Sequence, residues 1–110
     1  MNQLERQATI NRNADKIKGY RKDWNCVKFN AASTDDHELM KAAVCLQACK
    51  KGFTFLTEAE FKEGGRADIY LVDVDFVIEI LCSETQERFD AKKYPVKKII
   101  PIRVGDEVNL

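Results

Sequence analysis

Asp68 and Glu79 are the residues of this chain whose type and placement could do chemistry. They lie inside two apolar-alternating runs, Ala67–Val72 and Phe76–Cys82, within the stretch GGRADIYLVDVDFVIEILCSET from Gly64 to Thr85. Asp and Glu are depleted in strands and are seldom fully buried without a partner or a metal, so packing alone explains neither. The two runs, parted by Asp73, Val74 and Asp75, read as a β-hairpin. Because strand side chains alternate, Asp68 shares a face with Tyr70 and Val72, and Glu79 shares one with Val77 and Leu81. A two-residue turn at Val74 and Asp75 sets Asp68 opposite Leu81 and Tyr70 opposite Glu79. The two acids are then diagonal neighbours on one face, within reach of a shared cation. A slip of one residue would put them on opposite faces.

A third acid comes from a helix. Ser33-Thr34-Asp35-Asp36-His37-Glu38 is a strong helix start, with a hydroxyl cap and acids that complement the free N–H groups of the first turn. The helix is expected from Asp35 to Lys51, stopping at Gly52, with Leu39, Ala42, Ala43, Leu46 and Cys49 as its buried stripe. Glu38 falls at the edge of that stripe, from where it points toward Asp68 and Glu79. Taken alone, it is simply a first-turn acid stabilising the helix dipole.

The remaining elements must carry these three residues. Phe53 to Phe61 reads as a strand with Phe53, Phe55 and Thr57 on one side, followed by a turn through Gly64 and Gly65. Glu58 and Glu60 near its end could border a metal site. Ser83-Glu84-Thr85 offers a cap to a helix over Gln86–Tyr94, which Pro95 ends, and Lys98–Val104 is a final strand with Pro101 at an edge. A strand reached through a crossover helix is normally parallel to its neighbour. The expected fold is a single α/β domain with a small mixed sheet in α-β-β-β-α-β order and flanking helices. It spans 33–104, between a basic N-terminal arm at 1–32 and a loose tail at 105–110.

At 110 residues and 45% hydrophobic content, the chain suffices for one domain with a core. Net charge is zero, so no global field draws in nucleic acid or membrane. The distribution is uneven: residues 1–30 carry seven Lys or Arg against three Asp or Glu, leaving 11 against 15 in the remainder. A basic arm before an acidic domain suits a protein that grips phosphate with one part and a metal with another, though a solvated helix reads the same way. Arg12, Lys16, Lys18, Arg21 and Lys22 are the nucleic-acid contacts the arm offers, with Tyr20 and Trp24 for stacking. Trp24, Val27 and Phe29 also read as an apolar staple that docks the arm, and that is their expected role.

No apolar run approaches the roughly 18 residues of a membrane span, and Met1 opens no secretory pattern, so a cytoplasmic location without membrane contact is expected. Cys26, Cys45, Cys49 and Cys82 lack the close pairs of a zinc ribbon and are expected to stay reduced. Cys45 and Cys49, one helical turn apart, could seat a metal with Cys26 or Cys82, but free Cys is commonly a small buried hydrophobe.

Glu38 at a helix start, Gly65-Arg66-Ala67-Asp68 opening one strand and Val77-Ile78-Glu79-Ile80 in the next together resemble the PD-(D/E)XK nuclease superfamily. That group contains restriction endonucleases and archaeal Holliday-junction resolvases, and the resemblance covers about Thr34 to Val104. It implies that Glu38, Asp68, Glu79 and the carbonyl of Ile80 bind Mg2+ or Mn2+, that DNA, branched or structured, is the substrate, and that the protein works as a homodimer. Hard oxygen donors suit such ions, and phosphodiester cleavage needs an activated water and a counter to developing charge. The superfamily's lysine, two residues after the strand Glu, is replaced by Leu81. The expected substitutes are Lys92 and Lys93 on the following helix, or Lys62 in the preceding turn, and Glu84 is a replacement ligand. If no lysine reaches the site, the domain is a degenerate module that binds nucleic acid or a protein without cleaving. The plainest alternative is a structural module in which Arg66 or a nearby Lys pairs with Asp68 or Glu79.

Overall fold

The central hairpin forms, and it sits inside a four-stranded sheet. The computed structural model describes residues 2–19, 22–82 and 86–110. In chain order the elements are α1 (Gln3–Ala14), α2 (Asp35–Lys50), β1 (Phe55–Glu60), β2 (Arg66–Leu71), β3 (Phe76–Leu81), α3 (Gln86–Asp90) and β4 (Lys98–Arg103). The strands lie in the order β1-β2-β3-β4; the first three form an antiparallel meander, and β4 joins β3 in parallel. The expected mixed α/β sheet is therefore present, with α1 added ahead of the expected element order. Pro101 lies on β4, an edge strand, where its missing donor costs the ladder least.

The register differs from the expected one by two residues. β2 and β3 pair as Ile69 with Ile78, Tyr70 with Val77 and Leu71 with Phe76, so the turn spans four residues, 72–75. Continued by one pair, this register sets Asp68 across from Glu79 instead of Leu81. A two-residue shift preserves the faces that a one-residue slip would exchange. The longer turn is held by its own acids. Asp75, at φ 62, accepts from the Tyr70 hydroxyl at 2.5 Å and from Lys16 Nζ at 3.0 Å. Asp73 accepts from the Thr54 N–H at 2.9 Å and pairs with Arg6 at 2.7 Å.

These contacts dock the basic segment onto the domain. Ile10 and Ile17 are buried in the core on one sheet face, together with Leu56, Tyr70 and Val77. Asn13 donates to the Val72 carbonyl at 2.8 Å, and Ile17 bridges to Phe61 beside the edge strand β1. Of the expected staple, Val27 packs partly buried against the opposite face, whereas Trp24 and Phe29 are exposed.

Helix α2 covers that opposite face, but it is turned around relative to the expected stripe. Thr34 caps it by accepting from the His37 N–H at 3.2 Å. Buried are Glu38, Lys41, Val44, Cys45 and Ala48; Leu39 and Leu46 are 66% and 55% exposed. The helix is apolar on two sides, so periodicity alone does not choose between them. The choice falls on the side where buried Lys41 finds two acids, Glu38 at 2.7 Å and Glu58 at 3.0 Å. A buried charge is tolerated only when paired in this way.

Two further expectations are corrected. Helix α3 ends at Asp90, short of Tyr94, where Pro95 disfavours helical backbone. The tail is not loose: Val108 and Leu110 pack against the core on the α2 side. Ser83, Glu84 and Thr85, expected to cap α3 and to offer a replacement ligand, lie outside the described residues.

Candidate functional site

The site begins where β2 and β3 part. Their paired register stops at Ile69 and Ile78, and just beyond it the Ile80 N–H donates to Asp68 Oδ2 at 2.8 Å. Asp68 is thereby fixed by a backbone donor from the neighbouring strand. By strand alternation it lies on the same face as Glu79, which is 2% exposed and hydrogen-bonds to it. The two sequence-identified acids are thus brought together.

Glu79 is the more perturbed of the pair. Burial raises its pKa first, and the hydrogen bond and negative charge of Asp68 raise it further; Tyr94 and Lys92 pull the other way, leaving it at about 8. Two carboxyls held this close share a proton unless a cation replaces it. The Tyr94 hydroxyl donates to Glu79 Oε1 and lies 3.1 Å from the Arg66 carbonyl. Its own pKa is raised by burial and by Glu79, which keeps it a donor. Lys92 places Nζ 3.5 Å from Glu79 Oε2. Of the lysines named as substitutes for the one missing at Leu81, Lys92 therefore reaches the pair, while Lys93 and Lys62 are exposed. Leu81 itself is fully buried.

Glu38 is held apart from the pair by a residue the sequence reading passed over. His37 stands between them, its Nδ1 2.6 Å from Glu38 Oε2 and its Nε2 3.4 Å from Asp68 Oδ2. The two carboxylates occupy opposite edges of one imidazole ring. Glu38 also accepts from the Asn30 N–H and from Lys41. Burial raises its pKa, but those donors and His37 outweigh it and bring the carboxyl down to about 2. It is an ionised anchor for α2 and for the His37 ring. The signal for His37 was its place beside Glu38 at the helix start, as the single histidine of the chain.

Next to this lies a second ionic cluster. Glu58, at φ 48 in the middle of β1, takes the left-handed conformation that non-glycine residues seldom adopt. Its carboxylate receives Lys41 and, at 3.3 Å, Arg66. Arg66, weighed as a partner for the acids, therefore pairs with Glu58. Ile80 enters the site through its N–H; its side chain belongs to the core on the α2 side.

The basic residues are distributed differently from the expected arm. Lys16 is committed to Asp75 and to the Pro95 carbonyl at 2.9 Å. Lys22 donates to the Ile17 and Gly19 carbonyls. Arg12 and Lys18 are exposed, Lys18 lying 3.9 Å from Glu60, and Arg21 is outside the described residues. The four cysteines are free. Burial pushes the Cys45 thiol up to about 12, opposite to what a thiolate ligand requires, although Lys41 draws it down in part.

Among the described residues, no three or more His, Cys, Asp or Glu side chains converge into a metal cage. What the chain does present is a pair of carboxyls, hard oxygen donors holding a proton that a cation can replace, and that donor chemistry fits a hard divalent cation. No family model matches the chain, and neither a curated protein nor a solved structure is significantly similar to it. No helix is long and apolar enough to cross a membrane among the described residues.

Proposed function

We propose that this chain is a metal-dependent phosphodiesterase of the PD-(D/E)XK type, acting on DNA. The observation that carries the reading is Asp68 facing Glu79 at the parting of β2 and β3, with Lys92 beside them. Asp68 and Glu79 would hold Mg2+ or Mn2+, which when bound supplies Lewis acidity, lowering the pKa of a water and offsetting charge on phosphate. The chain's own residues do the rest. The Ile80 N–H and His37 orient Asp68, and the Tyr94 hydroxyl orients Glu79. Lys92 approaches the pair from outside the strand and takes the role of the lysine that Leu81 lacks: holding the attacking water and countering negative charge. Glu38 acts through His37 as a positioning residue instead of as a ligand.

Cleavage of linear and branched DNA in magnesium or manganese tests this. Wild type should cut, Glu79→Ala should lose metal-dependent cleavage, and Lys92→Met should cut about 100-fold more slowly while still binding Mn2+. Equal activity in wild type and Glu79→Ala would sink the proposal.

A second reading, a module that binds nucleic acid or a protein without cleaving, is favoured by buried Leu81. It predicts no cleavage in either metal, with salt-sensitive DNA binding weakened by neutralising Arg12 and Lys18 but not by Glu79→Ala.

A further inference from the structure

The outer face of α2 carries an apolar seam that the fold leaves uncovered. Leu39, Ala43 and Leu46 point away from the sheet, opposite the buried Lys41, Val44, Cys45 and Ala48. With Asp36 before them and Lys50 after them, also exposed, these residues recur at intervals of three, four, three and four. That is the spacing of a two-helix seam, in which one side-chain row of each helix faces the other. Phe29, 66% exposed, lines an open hollow together with Leu39 and extends the apolar face past the helix start.

We infer that this face pairs with a second copy of the chain through two antiparallel α2 helices related by a two-fold axis near Ala43. The seam is its own complement. Reversed on itself about Ala43, it sets Leu39 against Leu46 of the other copy, Ala43 against Ala43, and Asp36 against Lys50. An isologous contact requires this kind of self-complementarity. The ends agree in charge as well: the first turn exposes Asp35 and Asp36, the end of the helix holds Lys50 and Lys51, and antiparallel pairing brings opposite signs together. Parallel pairing would stack like charge at both ends. Small Ala43 at the crossing lets the backbones approach, and the leucines on either side fill the seam. The inference does not depend on the nuclease reading, since none of these residues belongs to the acid site.

Sedimentation equilibrium of the full chain, from micromolar to millimolar concentration, tests the pairing. Wild type should show a concentration-dependent dimer, and Leu39→Glu with Leu46→Glu should remain monomeric. Both leucines are already exposed, so circular dichroism and Tm of that variant should match wild type. Asp36→Lys and Lys50→Asp should each weaken the dimer about 10-fold by placing like charges together. The double variant Asp36→Lys with Lys50→Asp should restore it, because every pair is re-formed with its signs exchanged. A wild type that stays monomeric throughout, including one that uses this face for another protein, overturns the inference. So does a dimer that survives the leucine changes, or charge changes that the double variant does not repair.

Discussion

Asp68 stands across from Glu79 where β2 and β3 part, and burial, reinforced by the hydrogen bond and negative charge of Asp68, holds Glu79 protonated up to about pH 8. An unfolded chain ionises this carboxyl near its ordinary value of 4.5. Between those values the unfolded chain binds fewer protons than the folded one, so stability falls as pH rises through about 8. Glu38 contributes oppositely, losing stability as pH drops below 4.5 toward about 2, and so leaves this window clear. In urea unfolding of metal-free protein at about pH 5 and about pH 9, wild type should lose a few kcal/mol and Glu79→Gln much less. Parallel losses in both would count against the shared proton.

A cation that replaces that proton should stabilise the fold. Saturating Mn2+ is expected to raise the Tm of wild type, by about 3 kcal/mol of stability when free metal is about 100-fold above Kd. Asp68→Asn and Glu79→Gln should abolish the shift. Glu38→Gln should retain it, because His37 separates Glu38 from the pair. A shift lost in Glu38→Gln and kept in Glu79→Gln would reverse the assignment of ligands.

Lys41 is fully buried between Glu38 and Glu58. Lys41→Met fits the apolar surroundings but leaves buried Glu38 and half-buried Glu58 without their shared partner, and should cost about 3–5 kcal/mol. Chemical denaturation measures it; a cost below about 1 kcal/mol would mean that the acids find water or other donors.

Gly65 has φ 90, and a Cβ there would come within 2.8 Å of the Tyr94 ring. Gly64, at φ 112, has open space around it. Both Ala variants carry backbone strain of about 1–3 kcal/mol, but only Gly65→Ala also pushes Tyr94 away from Glu79. Gly65→Ala should therefore be the less stable and should alone alter the pH dependence traced to Glu79. Matching unfolding curves for the two variants would remove Tyr94 from the site.

The sequence by itself determined the strand alternation that puts Asp68 and Glu79 on one face, the helix start at Thr34, the parallel return of β4 and the edge position of Pro101. These follow from short-range rules, the two-residue strand period, helix capping and the restrictions of proline, which act within a few residues. Tertiary structure decided what those rules leave open. The hairpin register depended on Asp73 and Asp75 being held by Arg6 and Lys16, partners almost 60 residues or more away in the chain. The face of α2 that turned inward depended on Lys41 meeting Glu58 from another element, since both sides of the helix are apolar. The placing of Lys92 beside Glu79 came from the path of the segment between α3 and β4, and that of His37 between Glu38 and Asp68 from the way α2 settles on the sheet. Distant charged side chains pair only once the backbone has brought them together, and no local pattern in the sequence encodes that meeting.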